Sequence, residues 1–254
     1  MCPAPHRLGL TASAEVPHSA AAERLDELVG PVVYEVALST LLGTHLAPVD
    51  LVRHRVRLGP NEREAYRRAY EPFAERVASL RRASPELDWS GVLRTLARSA
   101  AGRDALSGLE RAMALSGFPQ QKRELVGRLL ERHWTERTLV FTALARDAYD
   151  LARRHLIPVI TAEVGRAERH EILDRFRDGT YRAIASARVL NEGLDVPEAS
   201  VAIVVGSRAG PREMLQRIGR VLRPVAGKRA MVHELITAGT LDATRAARGH
   251  NALR

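Results

Sequence analysis

The sequence predicts an α/β fold, a parallel sheet flanked by helices and preceded by a mostly helical junction or insert. Three observations carry that prediction. From residue 137 onward, short apolar runs alternate with helix-length amphipathic segments, the period of a parallel sheet with crossover helices. Residues 60–133 show helical spacing, punctuated by Pro85 and Gly102. The stretch from Tyr181 to Pro224 holds two apolar strands, the first followed by the polar turn Asn191-Glu192-Gly193 and the second ending at Gly206.

Taken in order, residues 7–13 (RLGLTAS) form a short apolar segment that closes on Thr11-Ala12-Ser13. Ala47-Pro48 leads into the alternating residues of LVRHRVRL. Pro60-Asn61 is a helix start, and Tyr66, Tyr70 and Phe73 keep helical spacing beyond it. Pro72 removes a backbone donor, so a kink or stop is expected there. Further helical pieces are expected over 86–100, 103–116 and 119–133. Tyr66, Tyr70, Phe73 and Trp89 are expected to pack helices together rather than stack on bases. Arg67, Arg68, Arg81, Arg82, Arg94 and Arg98 suit either a solvated face or a nucleic-acid surface. Then come strand Thr138–Thr142, helix Ala143–Arg154, strand Ile157–Thr161, and helix Arg166–Arg177 closed by Asp178-Gly179. Strands Tyr181–Ser186, Val201–Val205 and Ala230–Leu235 bring the sheet to about five. Thr142, at a strand end, is placed to meet phosphate oxygens or to cap the next helix. Pro211 opens a helix on which Gln216, Arg220 and Arg223 share one face, and guanidinium groups there can fork onto phosphate.

Composition narrows the function classes. A hydrophobic content of 45% supports a real core, and a net charge of +9 with a pI near 10.6 suits a polyanionic partner, nucleic acid first. Lys122 and Lys228 are the only lysines, an arginine bias that coding composition alone can also produce. The single cysteine, Cys2, excludes an intramolecular disulfide and a multi-cysteine zinc site. The nine histidines show no metal-ligand spacing and no carboxylates cluster in two-metal fashion, so no metal site is expected and a nuclease or methyltransferase domain lacks support. No apolar run approaches the roughly 18 residues a membrane span needs. The first residues lack the apolar core of a signal peptide. A soluble cytoplasmic protein is expected, nucleoid-associated in a prokaryote.

ASARVLNEGLDVPEA resembles motif V, and QRIGRVLRP motif VI, of superfamily 2 helicases and translocases, with wording closest to the XPB-like branch. TLVFT is similar to motif IV, and Thr11-Ala12-Ser13 to motif III, with Gly30 to Glu35 (GPVVYE) following as in that family. The resemblance implies a C-terminal RecA-like lobe over 137–254 and a helical junction or thumb-like insert over 60–136. Residues 1–59 would be the end of a first lobe and the crossover. It further implies Arg220 and Arg223 as arginine fingers, with Gln216 sensing the γ-phosphate. Gly193 would let the backbone approach the nucleotide, and Asp195 would bond the ribose hydroxyls. Thr142 and Ser186 would touch the nucleic-acid backbone, while Thr11 and Ser13 would couple nucleotide state to lobe movement.

Two departures qualify this. Aligned on Gly193, Ala187 stands where a hydroxyl residue is common, and the neighbouring Ser186 should point to the opposite side of its strand. Nowhere is there a G-x-x-x-x-G-K-[ST] phosphate loop or a D-E-x-[DH] motif; Gly227-Lys228 is followed by Arg229. The expectation is therefore the C-terminal half of an ATP-dependent DNA helicase or translocase. It would act on DNA, using ATP with Mg2+ only when completed by a first lobe on another chain or an upstream segment. No ATP hydrolysis is expected from the chain alone. A different class fits the same residues: a non-catalytic nucleic-acid-binding or regulatory module derived from a helicase lobe.

Overall fold

A computed structural model of the chain describes residues 6–9, 20–34, 49–187, 199–206 and 230–251. Helix α1 (Ala20–Leu28) precedes strand β1 (Val49–Val56). Four helices follow: α2 (Pro60–Ala83), α3 (Trp89–Ala97), α4 (Ala100–Gly117) and α5 (Gln120–Arg132). Then come β2 (Thr138–Thr142), α6 (Ala145–His155), β3 (Val159–Ile160), α7 (Arg166–Arg177), β4 (Ala183–Ala187), β5 (Val201–Val204), β6 (Ala230–Thr237) and α8 (Leu241–Asn251).

The six strands form one sheet in the order β1-β6-β5-β2-β4-β3, with every pair parallel. Crossover helices cover both faces of such a sheet, so its strands are apolar throughout, and all five residues of TLVFT are buried in β2. On one face Leu139, Phe141, Ile184, Val204 and Val232 pack with Ile172, Leu173 and Phe176 of α7. On the other, Val140, Ala185, Ile203 and Leu235 pack with Val126 and Leu129 of α5 and with Ala148 and Leu151 of α6. Each large aliphatic side chain so buried contributes about 1.5–3 kcal/mol.

Among the described residues the sheet has six strands rather than about five, because Val49–Val56, read in the sequence as crossover, pairs along its whole length with Ala230–Thr237. β1 is an outer strand. Its alternation leaves Arg53 and Arg55 on one side while His54 and Val56 lie on the other, toward α5.

In the helical stretch, α2 runs on through Pro72 rather than stopping there. Pro72 is exposed, so solvent can satisfy the carbonyl whose helical bond is lost, while Tyr66, Ala69 and Phe73 hold the opposite face buried. The aromatic residues pack on one another as expected. Tyr66 and Tyr70 stack at 5.6 Å between centroids, and Phe73 meets Trp89 edge-on at 6.2 Å. Gly102 does not break the helices; it lies in the first turn of α4, where its N–H donates to the Ser99 hydroxyl at 3.0 Å.

Gly108 is where α4 comes closest to α2. A Cβ there would stand 2.5 Å from the carbonyl oxygen of Ala69, a backbone atom that cannot move aside. Helix propensity alone favours Ala over Gly by about 1 kcal/mol. Gly108→Ala is nevertheless expected to destabilise by about 1–3 kcal/mol, because forced separation of packed helices outweighs propensity. Urea unfolding midpoints measure this, and a stabilised variant would show that the two helices do not meet there.

Glu62 ties this stretch to the sheet. Its carboxylate accepts from Gly59 N at 3.0 Å, at the start of α2, and from Gln120 N at 2.8 Å, at the start of α5. Tyr66 Oη likewise accepts from Leu241 N at 2.9 Å, at the start of α8. Two side chains of α2 thus satisfy orphan N–H groups of helices packed on the lobe. No helix among the described residues is long and apolar enough to cross a membrane.

Candidate functional site

Because all strands run the same way, their carboxyl ends share one edge, the edge at which open α/β sheets bind ligands. β2 ends there at Thr142, β4 at Ala187 and β6 at Thr237, while β5 runs on through Val205 to Gly206. Ala187 and Gly206, the last described residues before 188–198 and 207–229, both lie on this edge. Gly193 and Asp195 follow the first of these. Gln216, Arg220 and Arg223 follow the second. All five lie outside the described residues, as do Thr11 and Ser13.

Thr142 and Ser186 are described, and both are 1% exposed. Thr142 is the register partner of Ala187, whereas Ser186 is the partner of Phe141, so the two hydroxyls leave the sheet on opposite faces. Thr142 Oγ1 donates to the Leu144 carbonyl at 2.9 Å. It is not the cap of α6; Leu144 occupies that position without a side-chain bond. Ser186 Oγ is buried with no hydrogen-bond partner.

Beneath the edge sits Lys122, a residue the sequence singled out only as one of two lysines. It is fully buried. Its ammonium donates to the carbonyls of Gly117 and Val205 and, at 2.8 Å, to Asp242 Oδ2. The same carboxylate oxygen accepts from Thr237 N at 2.7 Å. Burial pulls the Lys122 pKa down, opposed first by the charge of Asp242. Asp147, in the first turn of α6, is also buried, and desolvation raises its pKa, opposed first by Arg146. One ammonium therefore joins the ends of α4 and β5 to the start of α8. Little local distinguishes this lysine from a surface one, since apart from Gly117 its partners lie 83 and 120 residues away.

A second buried cluster lies between β1, β6 and α5. His233 contacts His54 (Nδ1 to Nε2, 2.9 Å) and His133 (Nε2 to Nε2, 3.0 Å). His133 Nδ1 in turn contacts Glu136 Oε1 at 2.8 Å. His233 is 2% exposed, and burial, then the neighbouring His133 and His54, lower its pKa to about 4. Burial followed by Arg132 lowers that of His54. Three of the histidines that look scattered in the sequence thus converge. Even so, no group of three or more His, Cys, Asp or Glu among the described residues is arranged to hold a metal ion.

Comparison with known proteins agrees with this geometry. Residues 121–225 match the helicase conserved C-terminal domain family. The chain is 34% identical to the DNA 3'-5' translocase XPB2 of Sulfurisphaera tokodaii over 94% of its own length and 54% of that protein. It is 32% identical to the DNA 3'-5' helicase XPB of Kineococcus radiotolerans over 86% of its length and 32% of that protein. The chain thus spans about half, or less, of the relatives it matches. In fold it resembles the SWI2/SNF2 ATPase C-terminal domain of Sulfolobus solfataricus, with a TM-score of 0.54 at 15% identity, covering 77% of this chain and 82% of that one. The parallel sheet and the family match give a RecA-like helicase C-terminal domain, and the sequence matches make that domain similar to those of XPB-like superfamily 2 proteins.

Proposed function

We propose that the chain is the motor-closing half of an ATP-dependent DNA helicase or translocase, serving DNA repair or a related DNA transaction in the cytoplasm or nucleoid. The observation that carries this reading is the helicase C-terminal match over residues 121–225. The same span contributes β2, β4 and β5 to the carboxyl edge of the sheet. Two relatives whose names specify a DNA 3'-5' translocase and a DNA 3'-5' helicase support DNA as the substrate.

The donor set fits part of the nucleotide. Gln216, Arg220 and Arg223 offer amide and guanidinium donors, which suit phosphate oxygens. They offer neither a carboxylate nor a hydroxyl for Mg2+, which prefers those groups and phosphate oxygens. The sequence has no phosphate loop, and no described cluster suits a metal. The phosphate cradle and the magnesium ligands therefore belong to a first lobe. When ATP and Mg2+ are bound across the two lobes they supply an activated terminal phosphoryl group. Arg220 and Arg223 would then stabilise the charge that develops on it, Gly193 would let the backbone close on the nucleotide, and Asp195 would orient the ribose. Thr142 ends β2 and Ser186 stands one residue before the end of β4, the positions for which the resemblance implies nucleic-acid contact, though both side chains are buried here on opposite faces of the sheet. Thr11 and Ser13, at the end of the first lobe, couple nucleotide state to lobe movement.

The test is ATP hydrolysis by the purified chain with duplex or single-stranded DNA, with and without a separately produced XPB-like first lobe. Hydrolysis only in the mixture is expected. Hydrolysis by the chain alone would mean a complete phosphate site within it. Salt-sensitive DNA binding without hydrolysis in either mixture would make it a binding module instead.

A further inference from the structure

We propose that Glu136, His133, His233 and His54 form a proton-sharing chain that accepts one excess proton without losing a hydrogen bond, and that a second proton opens it and frees the outer strand β1 from β6 and α5.

The argument is a count of proton positions. The contacts leave four: His133 Nδ1 facing Glu136, the Nε2–Nε2 contact of His133 with His233, the Nδ1–Nε2 contact of His233 with His54, and the free Nδ1 of His54. A nitrogen–nitrogen contact holds one proton; none leaves two lone pairs face to face, and two set N–H against N–H. Three neutral rings carry three protons. A vacancy inside either contact is repulsive, and a vacancy at Glu136 sets a lone pair against a carboxylate. The empty position is therefore Nδ1 of His54. His133 donates from Nδ1 to Glu136, His233 from Nε2 to His133, and His54 from Nε2 to His233.

One added proton fills the empty position and can be passed along the chain, with every contact intact. A further proton must double up in one of the two nitrogen–nitrogen contacts. The contact of His133 with His233 joins the end of α5 to β6, and that of His233 with His54 joins β6 to β1; a second proton in the latter loosens β1, whose one described pairing is with β6.

The charges around the rings decide where this happens in pH. Arg132, in the last turn of α5, opposes protonation of both His54 and His233, and Glu136 favours that of His233. Arg53 on β1 and Glu234 on β6 pair at 3.2 Å on the opposite face of the sheet. Asp50 shares the face of His54 but stands four residues, about 13 Å, along the strand. The pKa of His233 is lowered in the fold from 6.5 to about 4. The unfolded chain thus binds more protons in that window, and stability is lost as pH falls from 6.5 toward 4.

Imidazole nitrogen NMR of the intact chain at neutral pH tests the proton arrangement. Nδ1–H on His133 and Nε2–H on both His233 and His54 are expected; Nδ1–H on His233 overturns the proposal. Amide exchange across residues 52–56, corrected for intrinsic rate and followed with falling pH, tests the release. Protection there is expected to be lost before that of the central strand β2. Simultaneous loss overturns it. Glu136→Gln keeps an acceptor for His133 but removes the counter-charge, so release should move to lower pH by about one unit, a tenfold loss of proton affinity. An unchanged pH of release, or a shift upward, overturns the role of Glu136.

Discussion

Lys122→Ala is expected to cost about 3–5 kcal/mol of folding stability, the range for removing one partner of a buried ion pair. Lys122 is fully buried, so its ammonium has no water to fall back on, and neither do the groups it serves. Without it, the Gly117 and Val205 carbonyls lose their donor and Asp242 keeps only its bond from Thr237 N. Unsatisfied buried acceptors each cost about 1–3 kcal/mol, and the lost aliphatic stem leaves a cavity besides. Against a total stability of about 5–15 kcal/mol, this places the variant near its folding threshold.

A double-mutant cycle with Asp242→Asn separates the charge pair from the rest. The asparagine removes the stranded carboxylate yet can still accept from Thr237 N, so it should recover part of the loss in the Lys122→Ala background. Urea unfolding of the four chains gives the coupling. A loss below about 1 kcal/mol for Lys122→Ala, the value of an exposed pair, would show that the lysine is not the tie it is described to be.

How far the sequence could be read depends on whether the signal is local. TLVFT and Arg166–Arg177 are found in the structure with the bounds expected for them, because a buried parallel strand and an amphipathic helix are written in consecutive residues. β3 is shorter than its apolar run, since only Val159 and Ile160 find pairing with β4. β1 has a readable alternation but an unreadable partner: its ladder is to residues about 180 positions later, and it is paired on one side only. Pro72 misleads because a proline on the solvent face of a long packed helix loses little. The motif residues can be named as linear strings, so Gln216, Arg220 and Arg223 are legible without any structure. Lys122 and the chain from Glu136 to His54 are not, because apart from the local bonds of Lys122 to Gly117 and His133 to Glu136 their contacts join residues between 83 and 179 positions apart.

Arg223→Ala, in the presence of a first lobe, is expected to lower DNA-stimulated ATP hydrolysis by about 10³-fold or more, the scale on which arginine fingers act. On the proposed function the guanidinium would meet charge that develops only as the phosphoryl group transfers, so its loss should fall on kcat far more than on nucleotide binding. Arg223→Lys should recover little, because a point charge does not reproduce the planar fork that holds two phosphate oxygens. Arg217 is the internal control. In the helix that the sequence predicts from Pro211 it would lie off the face shared by residues 216, 220 and 223, so Arg217→Ala should stay within about tenfold of the unaltered chain. Comparable losses in Arg217→Ala and Arg223→Ala would point to a general loss of basic surface. A normal rate in Arg223→Ala would move the finger to Arg220. Normal rates in both Arg220→Ala and Arg223→Ala would remove this face from the mechanism, leaving the lobe a role in holding DNA alone.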